Sequence, residues 1–176
     1  MTNEELFTIL RPHILALTGV PECMLYAQNA DAPQGEYASV NPRYAIEERG
    51  QANIYRKDVP GDLVESDVRP QAMITVAVEF FRGEALERAE RLLQMGKIET
   101  VTWDLFKHKL SIRNTSGVLN LTALQSSNFE QRARIELYLW AELSTKYTVN
   151  NILGTSIVAE NEDGDTIQEI DIDIRG

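Results

Sequence analysis

The stretch Gln131-Arg132-Ala133-Arg134-Ile135-Glu136-Leu137-Tyr138-Leu139-Trp140-Ala141-Glu142-Leu143 decides the fold. Ala133, Ile135, Leu137, Leu139, Ala141 and Leu143 fall at every second position, against Arg132, Arg134, Glu136, Tyr138, Trp140 and Glu142. Successive side chains of a pleated strand point to opposite faces, so this pattern predicts a long strand with one buried face. Arginine and large aromatics are enriched where proteins meet, which makes Arg132, Arg134, Tyr138 and Trp140 a candidate partner-facing surface. A solvated sheet face is the alternative.

Outward from this strand, Gln71–Phe81 alternates in the same way. Ile74, Val76, Val78 and Phe80 fall on one face, and Met73, Thr75, Ala77 and Glu79 on the other, as expected of a central strand. Gly83–Met95 then takes helical spacing, with Leu86, Ala89, Leu92 and Leu93 opposed by Glu87, Arg88, Glu90 and Arg91, and with Gly96 as the stop. A shorter helix around Val101–Lys109 contributes Trp103, Leu105 and Phe106. Near the start, Thr2 is placed to cap a helix with Glu4 and Glu5 in its first turn and Leu6, Ile9, Leu10, Ile14 and Leu17 as its stripe. Pro12 should bend this helix and Thr18-Gly19 should end it.

The remaining segments carry weaker patterns. Cys23–Gln28 and Tyr37–Val40 read as short strands joined through Asn29–Gly35, which predicts a turn or hairpin. Asn41–Arg69 holds Pro42, Gly50, Pro60 and Gly61 among many charges, with strand hinted only at Tyr44–Ile46 and Asn53–Tyr55. It is expected to form a long hairpin or arm with a mobile tip. Leu110–Arg113 and Val118–Ala123 read as short strands around Asn114-Thr115-Ser116-Gly117. Ile157–Ala159 and Ile167–Ile174 flank Asn161-Glu162-Asp163-Gly164 and predict a final hairpin. In its second arm Ile170, Ile172 and Ile174 oppose Glu169, Asp171 and Asp173. The order implies an α+β fold, a mainly antiparallel sheet with two or three helices packed on one side, an extended arm and a C-terminal hairpin. The expected organisation is one α+β domain over 1–159 and an acidic hairpin extension over 160–176.

Composition narrows the function. The chain has 176 residues, 43% of them hydrophobic, enough for one ordinary core. No apolar run approaches the roughly 20 residues of a membrane span. Glu4, Glu5 and Arg11-Pro12 do not suit an export signal. A formal charge of −10 repels a nucleic-acid backbone, and one cysteine, Cys23, excludes an internal disulfide. Cys23 itself reads as a small buried hydrophobe.

Catalytic constellations find little support. The two histidines, His13 and His108, lie in expected helices and read as surface or boundary residues. No phosphate-binding glycine loop is present. Glu169, Asp171 and Asp173 could in principle hold a hard cation, but a solvated acidic face is far commoner. Arg82, Lys107, Lys109 and Arg113 could gather into a basic patch, without the interleaved aromatics of nucleic-acid binders. No cofactor is expected.

Two stretches carry a resemblance. They are Gln28-Asn29-Ala30-Asp31-Ala32-Pro33-Gln34-Gly35-Glu36-Tyr37-Ala38-Ser39-Val40 and Phe129-Glu130-Gln131-Arg132-Ala133-Arg134-Ile135-Glu136-Leu137. In these, and in the strand that runs directly into a helix opened by Gly83 and Ala85, the chain resembles the tail terminator, or neck terminator, proteins of tailed phages. The resemblance covers roughly residues 1 to 159, departs at Asn41–Arg69 and stops before the acidic hairpin. It rests on the order of short structural motifs.

The resemblance implies a structural virion protein, not an enzyme. It would form a hexameric homo-oligomer ring on the last ring of the tail tube protein, halt the tube's growth and face a head-tail connector protein. Genome DNA would pass through the channel without specific binding, and no membrane would be involved. The protein would be assembled in the host cytoplasm and reside in the virion's tail or neck. The Asn41–Arg69 arm and the Ile167–Ile174 strand would reach neighbouring subunits, adding Ile170, Ile172 and Ile174 to the interface. The alternatives are a head-completion or connector ring of the neck, a small cytosolic enzyme, and a binding module.

Overall fold

The computed structural model describes residues 1–26, 32–60, 63–125, 128–150, 154–160, 162 and 166–173. Two compact units divide the chain, one formed by 1–51 and 70–143, the other by 52–69 and 144–176.

The first unit begins with α1, Asn3–Thr18, closed at its N-terminus by a capping box. Glu5 N donates to Thr2 Oγ1 at 3.1 Å, and Thr2 N donates to Glu5 Oε2 at 2.7 Å. Two backbone donors that have no partner within the helix are thereby satisfied. Gly19, at φ 65°, ends the helix, its N–H reaching Leu15 O at 3.0 Å. The buried stripe is Leu6, Leu10, Ile14 and Thr18, so the fourth-residue row ends on Thr18 where Leu17 was expected. Pro12 lies within the helix, which α1 accommodates as one continuous element.

β1 (Glu22–Leu25) and β2 (Tyr37–Val59) follow. A hairpin between them, one of the two expected forms, is ruled out, because they pair in parallel with Glu22 opposite Tyr37 and Leu25 opposite Val40. Turn residues mark that a chain bends and not the direction in which it rejoins a sheet. Part of that connection, 27–31, lies outside the described residues. β2 also runs unbroken through a segment where the sequence hinted at only two short strands. β3 (Leu63–Phe81) is its neighbour in the sheet, which supports the expected long arm; residues 61–62, between the two strands, lie outside the described residues.

A sharp turn at Arg82 and Gly83, with φ of 65° and 56°, leads into α2 (Ala85–Leu92). Its inner face is Ala85, Ala89 and Leu92, whereas Leu86, expected inside, is 37% exposed. The turn fixes the rotational phase in which the helix starts, and that phase faces Ala85 to the sheet. The helix is shorter than Gly83–Met95, because a 3-10 turn over Met95–Lys97 succeeds it. α3 (Glu99–Lys107) buries Val101 and Leu105 but leaves Trp103 63% and Phe106 68% exposed.

β4 (Leu110–Thr115), β5 (Leu119–Asn120), β6 (Ala123–Gln125), β7 (Asn128–Glu130) and β8 (Arg132–Glu142) complete this unit. β8 alternates buried and half-buried residues from end to end, as its sequence predicts. The sheet order is β1-β2-β3-β8-β4, and β8 runs antiparallel to β3, β4 and β5. One core joins the inner residues of all three helices to Ile74, Val76, Val78 and Phe80 of β3 and Ala133, Ile135, Leu137, Leu139 and Ala141 of β8. Burying each large apolar side chain contributes roughly 1.5–3 kcal/mol, the main term opposing the chain's entropy. The fold is α+β.

In the second unit, β9 (Thr145–Asn150) pairs antiparallel with Leu63–Val68 of β3. Asp67 is buried there and accepts from Arg69 Nε at 2.8 Å and Ser144 Oγ at 2.6 Å. β10 (Gly154–Glu160) and β11 (Thr166–Asp173) form a separate two-stranded antiparallel sheet, the expected C-terminal hairpin. The expected turn at Asp163-Gly164 lies outside the described residues.

Candidate functional site

The face of the large sheet opposite the helices is built by register. β3 and β8 set Met73 opposite Trp140, Thr75 opposite Tyr138, Ala77 opposite Glu136, Glu79 opposite Arg134 and Phe81 opposite Arg132. Partners directly across an antiparallel ladder share a face, so these ten residues form one surface. The four β8 residues picked out from sequence therefore stand in a row, and the structure adds what they touch.

Arg132 and Arg134 converge on Glu79. Arg132 pairs with its Oε2, and Arg134 Nη1 lies 3.6 Å from its Oε1. Arg134 Nη2 also donates to Glu136 Oε1 at 2.7 Å, and Tyr138 OH donates to Glu136 Oε2 at 3.3 Å. Burial raises the Tyr138 phenol above its ordinary range, and the neighbouring Glu136 carboxylate pushes the same way. The guanidinium of Arg134 lies 4.4 Å from the Tyr44 ring and that of Arg132 4.9 Å from Phe81, which stacks on Tyr37 at 4.6 Å. At the other end, Arg113 sits 5.4 Å from the Trp140 ring and donates to Met73 Sδ at 3.2 Å.

Each cation is thus held against a carboxylate or an aromatic face, a geometry that fixes long side chains in place. A pocket of about 110 Å³ opens among Tyr26, Ser39, Asn41, Tyr44, Ala77, Glu79, Arg132 and Arg134. Two guanidiniums around one carboxylate suit recognition of polar groups. They offer no activated nucleophile, since Glu79 is already spent on the arginines.

A second surface of this unit lies at α3 and β4. Trp103 and Phe106 stack at 5.9 Å while both face outward. Phe106 also walls a shallow groove of about 350 Å³ with Gln71, Lys109, Leu110, Ser111, Trp140, Ala141 and Glu142. Trp140 therefore belongs to both surfaces.

The other expected positions fall as follows. Ile170 lies in β11, opposite Ile157 of β10, and is 43% exposed. Ile172 stands opposite Thr155, while its side chain, like all of Ile174, lies outside the described residues. So do the side chains of Asp171 and Asp173. The expected basic patch divides among separate partners: Arg82 on Glu130, Lys107 on Asp104, Lys109 on Glu142 and Arg113 on Trp140. His13 Nε2 lies 3.0 Å from Asp104 Oδ2, tying α1 to α3, and this bond holds the Asp104 carboxyl below its usual range. Cys23 is buried, and burial pushes its thiol up to about 11. Among the described residues no group of three or more His, Cys, Asp and Glu could hold a metal ion, and no helix is long and apolar enough to cross a membrane.

Sequence reasoning missed Glu79, Tyr44 and the outward pose of Trp103 and Phe106. Glu79 carried a signal, as the one charge in the alternating stretch Gln71–Phe81.

The sequence matches a family described as phage neck terminator protein over residues 4–171, nearly the whole chain. No curated protein matches it.

Proposed function

The chain belongs to the phage neck terminator protein family, a structural component of the phage neck, and from this premise we propose that its copies close into a ring capping the tail tube. The ring, a hexamer by the resemblance stated above, stops tube polymerisation and presents its other side to the head-tail connector. Genome DNA crosses the channel without being gripped, which suits a chain of net charge −10. The row Arg132, Arg134, Tyr138 and Trp140, together with β11, serves as contact surface.

The observation that carries this reading is β2. From Tyr44 to Asp58 every residue but Ala52 is exposed, so the strand offers both faces at once. Tyr44, Ile46, Ile54 and Tyr55 are 41–54% exposed along it, and Tyr147 and Val149 of β9 are 47% and 43% exposed. A lone soluble subunit gains nothing by presenting such a strand to water, whereas an assembling one buries it.

Density maps of tails purified from cells that make no heads test the proposal. A ring of this chain at the head-proximal end, and overlong tubes when it is deleted, are expected. Finding it only on heads, or normal tubes without it, would overturn the proposal in favour of another place in the neck.

A further inference from the structure

We infer that the groove between α3 and β4 is the socket for the acidic β10–β11 hairpin of a second copy of this chain. The inference rests on the ring reading and names the surfaces that would close the ring.

Charge is divided unevenly along the sequence. Between Leu105 and Phe129 the chain carries Lys107, His108, Lys109 and Arg113 and no acidic residue, inside a protein of net charge −10. Residues 160–176 hold seven acidic residues and one basic residue. The first segment supplies the end of α3 and the whole of β4, and with them Phe106, Lys109, Leu110 and Ser111 of the groove. The second supplies β11, where Glu169 is exposed.

Apolar surface is matched in the same way. Among the described residues the hairpin is a sheet of two strands, a form that is marginal in water without something packed on it. Ile157 and Ile170, opposite one another in its ladder, are 53% and 43% exposed. The groove offers Phe106, Leu110, Ala141 and Trp140, with Trp103 stacked beside its wall. Lys109 lines it, 61% exposed, beside Glu142, which lines it too, and Lys107, two residues earlier in the sequence, is 57% exposed. Each already contacts one carboxylate, Lys109 at 2.7 Å on Glu142 and Lys107 at 3.5 Å on Asp104, yet an ammonium has three donors and can take another.

β4 ends the strand order of its sheet, but a bulge between Ile112 and Asn114 interrupts its ladder. Bulges discourage indiscriminate strand addition. Recognition therefore falls to side chains, an apolar floor with the spare donors of Lys109 and the neighbouring Lys107 against a strand of alternating isoleucine and acid. Groove and hairpin are different patches, so the contact is head-to-tail, the kind that closes a ring.

Charge reversal in two separate variants tests this by sedimentation, with and without purified tail tubes. One variant carries Lys107→Glu and Lys109→Glu, the other Glu169→Lys and Asp171→Lys. Each alone should associate roughly tenfold or more weakly than the parent, increasingly so at low salt. An equal mixture should recover association, because every groove then meets a hairpin of opposite sign on another copy. Phe106→Ser, at an exposed position, should weaken association while leaving the melting temperature unchanged.

Parent-like association of either charge variant or of Phe106→Ser overturns the docking. So does a mixture that fails to recover, as it must if the hairpin binds its own chain. Parental rings on tubes with indifferent variants overturn the docking alone. Parental chains that associate in neither setting overturn the ring reading with it.

Discussion

Gly83→Ala probes the turn that passes the chain from β3 to α2. A side chain at φ 56° occupies the left-handed region, which costs roughly 1–2 kcal/mol. The added Cβ would stand 1.8 Å from Glu36 Oε1, 2.3 Å from its Cδ and 2.8 Å from its Cγ, so the carboxylate must swing away. Glu36 pairs with Arg88, which is 11% exposed and whose Nε and Nη1 have no partner among the described residues. Breaking a buried pair costs about 3–5 kcal/mol, but Glu36 is 37% exposed, which reduces the loss to roughly 1–2 kcal/mol. Together the two effects predict a loss of about 2–4 kcal/mol, read as a lower urea midpoint at unchanged slope. Glu36→Ala should cost only the pair, roughly 1–2 kcal/mol. In the double variant the clash is gone, so it should be no worse than Gly83→Ala, about 1–2 kcal/mol short of additivity. Strict additivity, or a loss under about 1 kcal/mol for Gly83→Ala, refutes the described contact.

Thr2→Ala removes the acceptor of the capping box and should cost about 1 kcal/mol in the same denaturation assay, with no loss of helix content at 25 °C. Cys23 is buried and its thiol is pushed up to about 11, so alkylation at pH 8 should be slow in native protein and fast in urea; rapid native labelling would contradict the burial. Asp67 is held below the usual carboxylate range, first by its hydrogen bond from Arg69 and then by that from Ser144. A depressed folded-state value means this contribution is complete above the unfolded value of about 3.9 and is lost as pH falls through the folded one. Asp67→Asn should flatten that acid limb of the stability curve, and an unchanged limb would show that Asp67 does not set it.

The parts of the fold legible in the sequence are those where one face is apolar. β8 alternates because helices cover one side only, and its pattern places Leu137 inside without any structure; Gln71–Phe81 of β3 alternates in sequence and so places Ile74 inside, although Met73, Thr75 and Ala77 on its other face are buried too. Of β2 the buried start, Tyr37–Val40, was legible, but beyond Tyr44 only fragments were, because a strand exposed on both faces needs no apolar period at all; neighbouring strands hold it through backbone bonds. The parallel pairing of β1 is likewise a backbone property with no trace in side-chain pattern. Around α2 and α3 the apolar residues were recognised but their facing was not, since Leu86, Trp103 and Phe106 could each satisfy a helical stripe drawn a residue or so out of phase. For the candidate site, the row on β8 was readable from alternation. Its partners Glu79, Tyr44 and Met73 come from distant sequence and needed the register to appear.

β3 keeps a single alignment along its length: Leu63 faces Asn150 of β9 and Phe81 faces Arg132 of β8, with no shift in between. Its partner breaks only at Leu143–Ser144, where β3 has Pro70, a residue without an N–H to give, while Leu143 N still reaches Pro70 O at 3.1 Å. A slide by one position would turn Val76 outward and, in the same stroke, take Asp67 from Ser144. Misthreading at either end is therefore penalised at both, so one strand works as a ruler against which two consecutive strands are checked together before the fold can lock.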